Sequence, residues 1–487
     1  MIELGPYLPD RPATGQHATV AHNCVPAVGY YAPFYTGVRY GDALGETCLG
    51  AFATRNSAGT PFNFAGTDSY LKKITSAAWE DVSVVGGYNT GTGRWDFTVF
   101  GDRVIATNGV EKPQSYVMGT STDFAVLTAD DVIAKYCATV RDFVFMGYTT
   151  ESATAYRNRV RWSALGDPTD YTQSTATQSD YQDLYGESYV GNITKVVGGE
   201  YATIFCERGI FRGTYIGGDL IFQFDQIVKN QGTNAPGSVV AHGDMIFFLG
   251  WDGFYLLTSG GMIPIGEGSV NRTFINEVYT SDLDKISATI DPYRSLYIVA
   301  MPTTAGGLDK LYIYNWNTKR WTTADSGNIN ALYVFLSESW TVDGSSTAVG
   351  NIDTGTYADV PVDSPFFIGG EPSLAAVDTS GYSVTYNGAA KTATFETGEV
   401  QLFPGRKALA KNITPLIEGN SSTITAQVGY RNTVQESVTY TDASTANSEG
   451  ECNLFATGRH LRARLSVSGG FTKAFGVDFD AVPAGRY

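Results

Sequence analysis

Adjacent carboxylates are the first candidates for chemistry, because glycoside hydrolysis needs two acids flanking one bond. Trp79-Glu80-Asp81 and Asp130-Asp131 supply such neighbours. Successive side chains on a strand point to opposite faces, so neither pair converges by itself. The four histidines, His17, His22, His242 and His460, show no HExxH or HxH spacing. His22-Asn23-Cys24 sets an imidazole and a thiol two residues apart, and a metal there would need two further ligands from elsewhere. Neither a GxSxG elbow, a Walker loop nor a deaminase pattern occurs. The sequence therefore calls for no catalytic residue, no metal and no cofactor.

Two charge patterns stand out instead. From Asp167 to Tyr189 the chain holds Asp167, Asp170, Asp180, Asp183 and Glu187 with no Lys or Arg. This reads as a solvated polar loop or as a negative wall lining a passage. Its spacing is too irregular for an EF-hand. Just before it, Arg157, Arg159 and Arg161 alternate with Asn158 and Val160, so a strand would put all three guanidinium groups on one face. Their expected partners are a neighbouring subunit or the acidic loop that follows, rather than DNA. The alternation recurs at His460, Arg462 and Arg464, with Leu461, Ala463 and Leu465 on the opposite face. There the expectation is a buried apolar side and a basic outer side facing another subunit. Reversing Arg462 and Arg464 to Glu is expected to spare the fold and weaken assembly.

The elements that must carry these residues are strands. Glycine is 55 of 487 residues, Tyr and Phe together 56, and only 17% of residues are charged. Such chains are built from strands and tight turns. Short apolar runs bounded by Gly, Asp or Asn recur, as in Trp95–Phe100, Arg141–Phe145, Met245–Leu249 and Leu296–Val299. A Gly or Arg followed by an acid precedes such a run at Asp102, Asp142, Glu200 and Asp244, and a looser unit starts at Tyr293. Strand pairs recurring every 40 to 50 residues are the mark of propeller blades; a stack of sandwich domains is the competing arrangement. Helical periodicity is confined to Ser69–Val82 and Val270–Leu283. From about Ser346 a segment rich in Gly, Ser and Asp leads to a last run of strands. The fold class expected is all-β, with residues 1–85 as an N-terminal platform segment, 86–345 as a β-propeller-like repeat domain and 346–487 as a C-terminal β-sandwich platform domain.

Net charge is −16, of which residues 86–345 carry −10. That balance excludes a sequence-specific DNA reader, which needs a basic footprint. It permits a protein that nucleic acid slides past. No run of eighteen apolar residues occurs, so no membrane span is expected. The opening MIELGPYLPDRP has neither the basic nor the apolar region of a signal peptide. Five scattered cysteines without a CxxC read as reduced core thiols from a cytosolic assembly route.

Several segments, taken in order, resemble the tail nozzle proteins of short-tailed bacteriophages, also called tubular tail or packaged-DNA stabilisation proteins. They are Gly5-Pro6-Tyr7-Leu8-Pro9-Asp10-Arg11-Pro12 with Ala21–Pro26 and Gly29-Tyr30, then Asn158–Ser163 leading to Gly166-Asp167-Pro168. The hairpin Phe248–Tyr255 follows, then Gly458–Arg462 with Gly476–Phe479 and Gly485-Arg486. The resemblance implies a virion protein in a ring, usually of six copies, below the portal and its adaptor. Such a ring retains packaged double-stranded DNA, conducts it during ejection and docks tail fibres or spikes. It implies no catalytic motif. In that setting Asp167, Asp170, Asp180, Asp183 and Glu187 are expected to line the passage, and Arg157, Arg159, Arg161, Arg462 and Arg464 to make subunit contacts. The rival readings are a glycan-active propeller enzyme, such as a virion depolymerase, and a carbohydrate-binding adhesin.

Overall fold

The computed structural model describes residues 1–75, 78–89, 91, 93–187, 189–337 and 372–485, with the backbone alone at 420 and 421. The chain is almost entirely β-stranded, with one short α-helix, Asn271–Glu277, among the described residues. It forms a β-propeller-like ring and a β-sandwich-like platform.

Five blades are self-contained four-stranded antiparallel sheets. Blade 1 runs from Gly50–Arg55 to Ala78–Asp81, blade 2 from Asp96–Phe100 to Ala125–Val126, and blade 3 from Val132–Val140 to Asp180–Asp183. Blade 4 runs from Ile193–Val197 to Phe222–Lys229 and blade 5 from Val240–His242 to Gly261–Pro264. The remaining two share one long strand. Arg320–Phe335 pairs through its first half with Leu308–Asn315, completing blade 6 behind Ser287–Asp291 and Leu296–Met301. Its second half pairs with Ser373–Asp378, which pairs with Tyr382–Thr385, which pairs with Val38–Ala43. Blade 7 thus takes its outermost strand from the N-terminal part of the chain and closes the ring just before blade 1 begins.

Seven separate apolar cores sit between the seven blades, one at each junction. Phe64 meets Val104 between blades 1 and 2, and Ile105 meets Val144 between blades 2 and 3. Phe145 meets Phe211 between blades 3 and 4, and Phe205 meets Phe248 between blades 4 and 5. Phe247 meets Tyr297 between blades 5 and 6, and Ile298 meets Leu374 between blades 6 and 7. Ala375 meets Ala65 where blade 7 returns to blade 1. Consecutive residues of one strand, such as Phe247 and Phe248, therefore serve different junctions. This is why these strands read as continuous apolar runs rather than alternating ones: both faces of each blade are covered.

The four acid-preceded repeats of the sequence and the looser unit at Tyr293 are the turns between the first and second strands of blades 2 to 6. Their tightness is visible in positive φ at Gly101 (58°), Arg141 (50°), Gly243 (57°) and Ser295 (58°). At the junction of blades 3 and 4 the backbones come close enough to require glycine. A Cβ on Gly198 would lie 1.9 Å from the Thr139 carbonyl oxygen. Gly198→Ala is expected to cost about 1–3 kcal/mol through overpacking. The measurement is urea unfolding, with a lowered midpoint at unchanged slope.

The platform is built on two 24-residue strands, Ala408–Arg431 and His460–Pro483, paired along their whole length. Ala393–Thr397 and Ile2–Glu3 pair with the second, and Ala18–His22 pairs with Ala393–Thr397. One core joins platform and propeller, containing Tyr7, Ala21, Cys24, Phe254, Trp321, Leu461 and Val477. Trp321 donates its indole N–H to the Ile265 carbonyl at 2.8 Å and lies 4.8 Å from the Phe254 ring.

Three expectations change. The propeller takes in blade 1 and the strand Val38–Ala43, both placed in 1–85 by the sequence, and also Ser373–Thr385, placed in 346–487. Ser69–Val82 carries the strands Leu71–Thr75 and Ala78–Asp81 in place of a helix. Of Val270–Leu283, Asn271–Glu277 is α-helical, with Val270 and Phe274 buried and Ile275 exposed. The Gly-, Ser- and Asp-rich stretch 346–371 lies outside the described residues.

Candidate functional site

The first strands of the seven blades surround an axial cavity of about 660 Å³. Phe52, Phe97, Ala138, Val196, Val240, Thr289 and Val334 each contribute from a different blade. Apolar and hydroxyl side chains dominate this wall, with Lys195, His242 and the buried thiol of Cys137 as its ionisable groups. At the end where the first strands begin lies a second cavity of about 330 Å³, lined by Arg94, Asp96, Asn108, Lys135, Tyr148, Lys195 and Asp284 among others. Lys195 lines both spaces and pairs with Asp96. Sequence reasoning missed this cluster. Its signal was available: Lys135 and Lys195 are single cations inside otherwise apolar strands, Ile133-Ala134-Lys135-Tyr136 and Thr194-Lys195-Val196.

The acidic residues singled out from the sequence lie elsewhere, on the outer strand of blade 3 and its flanking loops. Asp183 takes both arms of Arg159, at 2.7 Å from Nε and 3.0 Å from the terminal nitrogen. Glu187 is paired with Lys229 at 2.7 Å. Asp167 accepts the Thr169 N–H and hydroxyl, and Asp170 accepts the Thr172 N–H. Asp180 accepts the Gln173 amide at 2.8 Å. None of the five lines the axial cavity. Asp183 and Glu187 are paired with cations of the same chain, Asp167 and Asp170 cap local turns, and Asp180 clasps Gln173 across the loop.

The arginines also find partners within the chain. Arg159 is only 8% exposed. Its guanidinium lies 3.7 Å from the Tyr156 ring centroid and 3.9 Å from that of Tyr181. Arg161 pairs with Glu151 at 2.6 Å and donates to the Tyr171 carbonyl. The guanidinium groups of both are committed to the blade in place of the expected subunit contact, and Arg159 takes the other expected partner, the acidic loop, through Asp183. Arg157 is exposed, with its guanidinium 6.0 Å from the Tyr148 ring.

Arg462 and Arg464 are corrected in the same way. Leu461, Ala463 and Leu465 are fully buried, as their alternation predicts. The opposite face is covered by two carboxylates of the same chain, Glu396 and Glu399, 2% and 4% exposed. Arg462 spans them, at 2.7 Å from each. Arg464 reaches Glu396 and Arg431 reaches Glu399, each at 2.6 Å. Thr19 and Tyr440 donate hydroxyls to Glu396 at 3.0 and 2.9 Å.

Burial alone would raise the Glu396 pKa, but hydrogen bonds from Arg462, Tyr440 and Arg464 outweigh it and hold the carboxyl below its ordinary range. A depressed folded-state pKa stabilises the fold above the unfolded value, near 4.3 for Glu, and that contribution is lost as pH falls through the folded value. Melting temperature should therefore fall as the pH drops below about 4.3, and Glu396→Gln should remove part of that acid dependence. Thermal melts from neutral pH to about pH 3 measure it.

The adjacent acids diverge in space. Glu80 accepts the Thr75 hydroxyl at 3.1 Å and faces Lys73 at 3.6 Å, whereas Asp81 caps the Ser83 N–H at 3.0 Å. Asp130 accepts the Tyr171 N–H and Asp131 the Ser152 N–H. In the His22-Asn23-Cys24 segment, the imidazole contacts Thr323 and Asp325 while Cys24 is buried in the joint core. All five cysteines are free and buried. Among the described residues no three His, Cys, Asp or Glu side chains gather as a metal site, and no helix is long and apolar enough to cross a membrane.

No family model matches the sequence, and no curated protein matches it. Solved structures do. The extracellular domain of a putative hybrid two-component system from B. thetaiotaomicron matches 87% of this chain at 12% identity and a TM-score of 0.41; the match spans 47% of that domain's length. A computationally designed protein matches 78% of this chain and 99% of its own at 10% identity and a TM-score of 0.39. The Pan2 WD40 domain of Neurospora crassa matches 73% of this chain and 98% of its own at 6% identity and a TM-score of 0.39.

Proposed function

We propose that this chain is a structural subunit of the tail nozzle of a short-tailed bacteriophage. The subunits form a ring, of six copies in the reading the resemblance supports, below the portal and adaptor. The ring retains double-stranded DNA, conducts it during ejection and docks fibres or spikes. One observation carries the reading. Four of the sequence segments that resemble nozzle proteins converge on the core joining propeller and platform, while Asn158–Ser163 packs between blades 3 and 4 through Val160 and Trp162. Tyr7, Ala21 and Cys24 come from the opening matches, Leu249 and Phe254 from the hairpin of blade 5, Leu461 from Gly458–Arg462 and Val477 from Gly476–Phe479. Residues whose shared task is to fix one domain against another belong to a load-transmitting part.

The geometry also limits how DNA would pass. An axial cavity of about 660 Å³ has the size of a small-molecule pocket, not of a duplex channel. The passage in this reading lies between copies, outside any one propeller. A wall with net negative charge would avoid the counterion-release binding that would hold phosphates in place. Antibodies raised against the chain should label the tail end of particles of the phage that encodes it. Label confined to the capsid shell, or to no part of the particle, would contradict the proposal.

A further inference from the structure

The smaller cavity at one end of the propeller axis holds an unusual set of donors. Asn108 is 1% exposed and lines the space, yet its Nδ2 has no hydrogen-bond partner. Its orientation is fixed, because Oδ1 accepts the backbone N–H groups of Val110 at 2.9 Å and Glu111 at 2.8 Å. Flipping the amide would lose both bonds. Lys135, on the first strand of blade 3, has no carboxylate within ion-pairing distance among the described residues. Its ammonium lies 5.5 Å from the ring centroids of both Tyr136 and Tyr148. Tyr148 sits at a register shift between Gly147 and Thr149 with φ of 57°, a conformation that costs energy in a bulky residue. Arg94 donates to the Asn330 carbonyl at 3.2 Å and also lines the cavity.

Of the five charged residues lining the cavity, Arg94, Lys135 and Lys195 are positive and Asp96 and Asp284 negative, which leaves one positive charge. Lys195 and Asp96 neutralise each other. Burial lowers the pKa of both Arg94 and Lys135, and Asp284 opposes it at each. With Lys195 and Asp96 paired, the remaining charged and amide groups are three donors, the Asn108 amide, the Lys135 ammonium and the Arg94 guanidinium, against the single carboxylate of Asp284.

We propose that this cavity, about 330 Å³ and bounded by Asn108, Lys135 and Arg94, binds a small molecule through an oxyanion, either carboxylate or phosphate. The oxyanion accepts from Asn108 Nδ2 and from the ammonium of Lys135, with Arg94 on the same wall. The rings of Tyr136 and Tyr148 border the remainder of the ligand. The volume falls at the lower end of ligand pockets, roughly 300–1,000 Å³. The site is independent of the nozzle reading and exists in a single copy of the chain.

The test is the melting temperature of the full chain titrated with sodium phosphate and with sodium glucuronate, against sodium chloride at matched ionic strength. At least one of the two should give a saturable rise that chloride does not. A response to phosphate alone assigns the group as phosphate, and a response to glucuronate alone assigns it as carboxylate. Lys135→Met should weaken the apparent affinity at least about tenfold, the scale of one lost charge-assisted hydrogen bond. Asn108→Asp keeps the acceptor of both backbone bonds, replaces the free donor with a negative charge, and should do the same. Lys229→Met, far from the cavity, should leave affinity unchanged. If Asn108→Asp does not fold, Lys135→Met carries the test, since it breaks no ion pair of the described chain. Equal, unsaturable responses to all three salts would overturn the proposal, as would unchanged affinity in Lys135→Met.

Discussion

Deleting residues 1–44 should open the propeller and unfold it, although none of these residues belongs to a blade made wholly in sequence order. Blade 7 has only three strands without Val38–Ala43, and its outer edge then lies bare beside Tyr382–Thr385. Arg39 is lost with that strand. It pairs with Asp378 at 2.9 Å and lies 4.2 Å from the Tyr382 ring centroid. The same deletion removes Leu4, Tyr7, Ala21, Cys24 and Tyr31 from the joint core and Leu44 from the core between blades 7 and 1. A ring of blades is closed by every junction at once, so losing one junction and part of another should exceed the whole stability of an ordinary domain, about 5–15 kcal/mol. Thermal unfolding and limited proteolysis measure this. The truncated chain should show no cooperative transition, and a peptide of residues 1–44 supplied separately should restore one in part. A truncated chain that melts at the temperature of the full chain would mean that the ring closes elsewhere.

Glu396→Ala should have the second largest effect, about 3–5 kcal/mol, the cost of removing one partner from a buried ion pair. The side chain is almost fully buried and receives Arg462, Arg464, Thr19 and Tyr440. Arg462 retains Glu399, so the loss falls mainly on Arg464 and the two hydroxyls. Arg462→Glu with Arg464→Glu should unfold the platform, since it would set two further carboxylates against Glu396 and Glu399. The expectation that this reversal would spare the fold and affect only assembly is withdrawn on that geometry. Replacing both partners, as in Glu396→Leu with Arg464→Leu, should cost less than Glu396→Ala alone, because no charge is left unpaired. Urea unfolding of the three variants distinguishes a structural network from a solvated face. On a solvated face all three would change stability by less than about 0.5 kcal/mol.

The central blades were legible because their turns repeat a chemistry. Gly101-Asp102, Arg141-Asp142 and Gly243-Asp244 place a positive φ next to an acid at the same step of successive blades. Blade 1 escaped because its first turn is built differently: Asn56 accepts the Thr60 N–H on its side chain and bonds Thr60 again through the backbone. Blade 7 escaped because its strands come from three distant stretches of chain, and local periodicity cannot report a pairing such as Val384 with Arg39. The mistaken helix has a physical source as well. Leu71, Ile74 and Val82 are spaced as on a helical face, and a hairpin delivers the same contacts. Ile74 pairs with Trp79, and Val82 N–H bonds the Leu71 carbonyl.

At the candidate sites, alternation identified the buried face of Leu461, Ala463 and Leu465 but could not tell what covers the other. Glu396 and Glu399 lie more than sixty residues away. The same holds for Arg159, whose acid Asp183 was in view as part of the loop, although the rings of Tyr156 and Tyr181 beside its guanidinium were not. The donors at the axial mouth come from blades 2 and 3, the segment ahead of blade 2, and blade 4, so only the closed ring brings them together.

The measurement that tests the nozzle reading most directly is the native mass of the full chain, alone and mixed with the portal-adaptor protein of the same phage. The reading predicts a closed ring whose mass is six times the 52.4 kDa of one chain, formed or stabilised by the adaptor. A chain that stays monomeric in both conditions and that turns over or binds a polysaccharide in that form would contradict it.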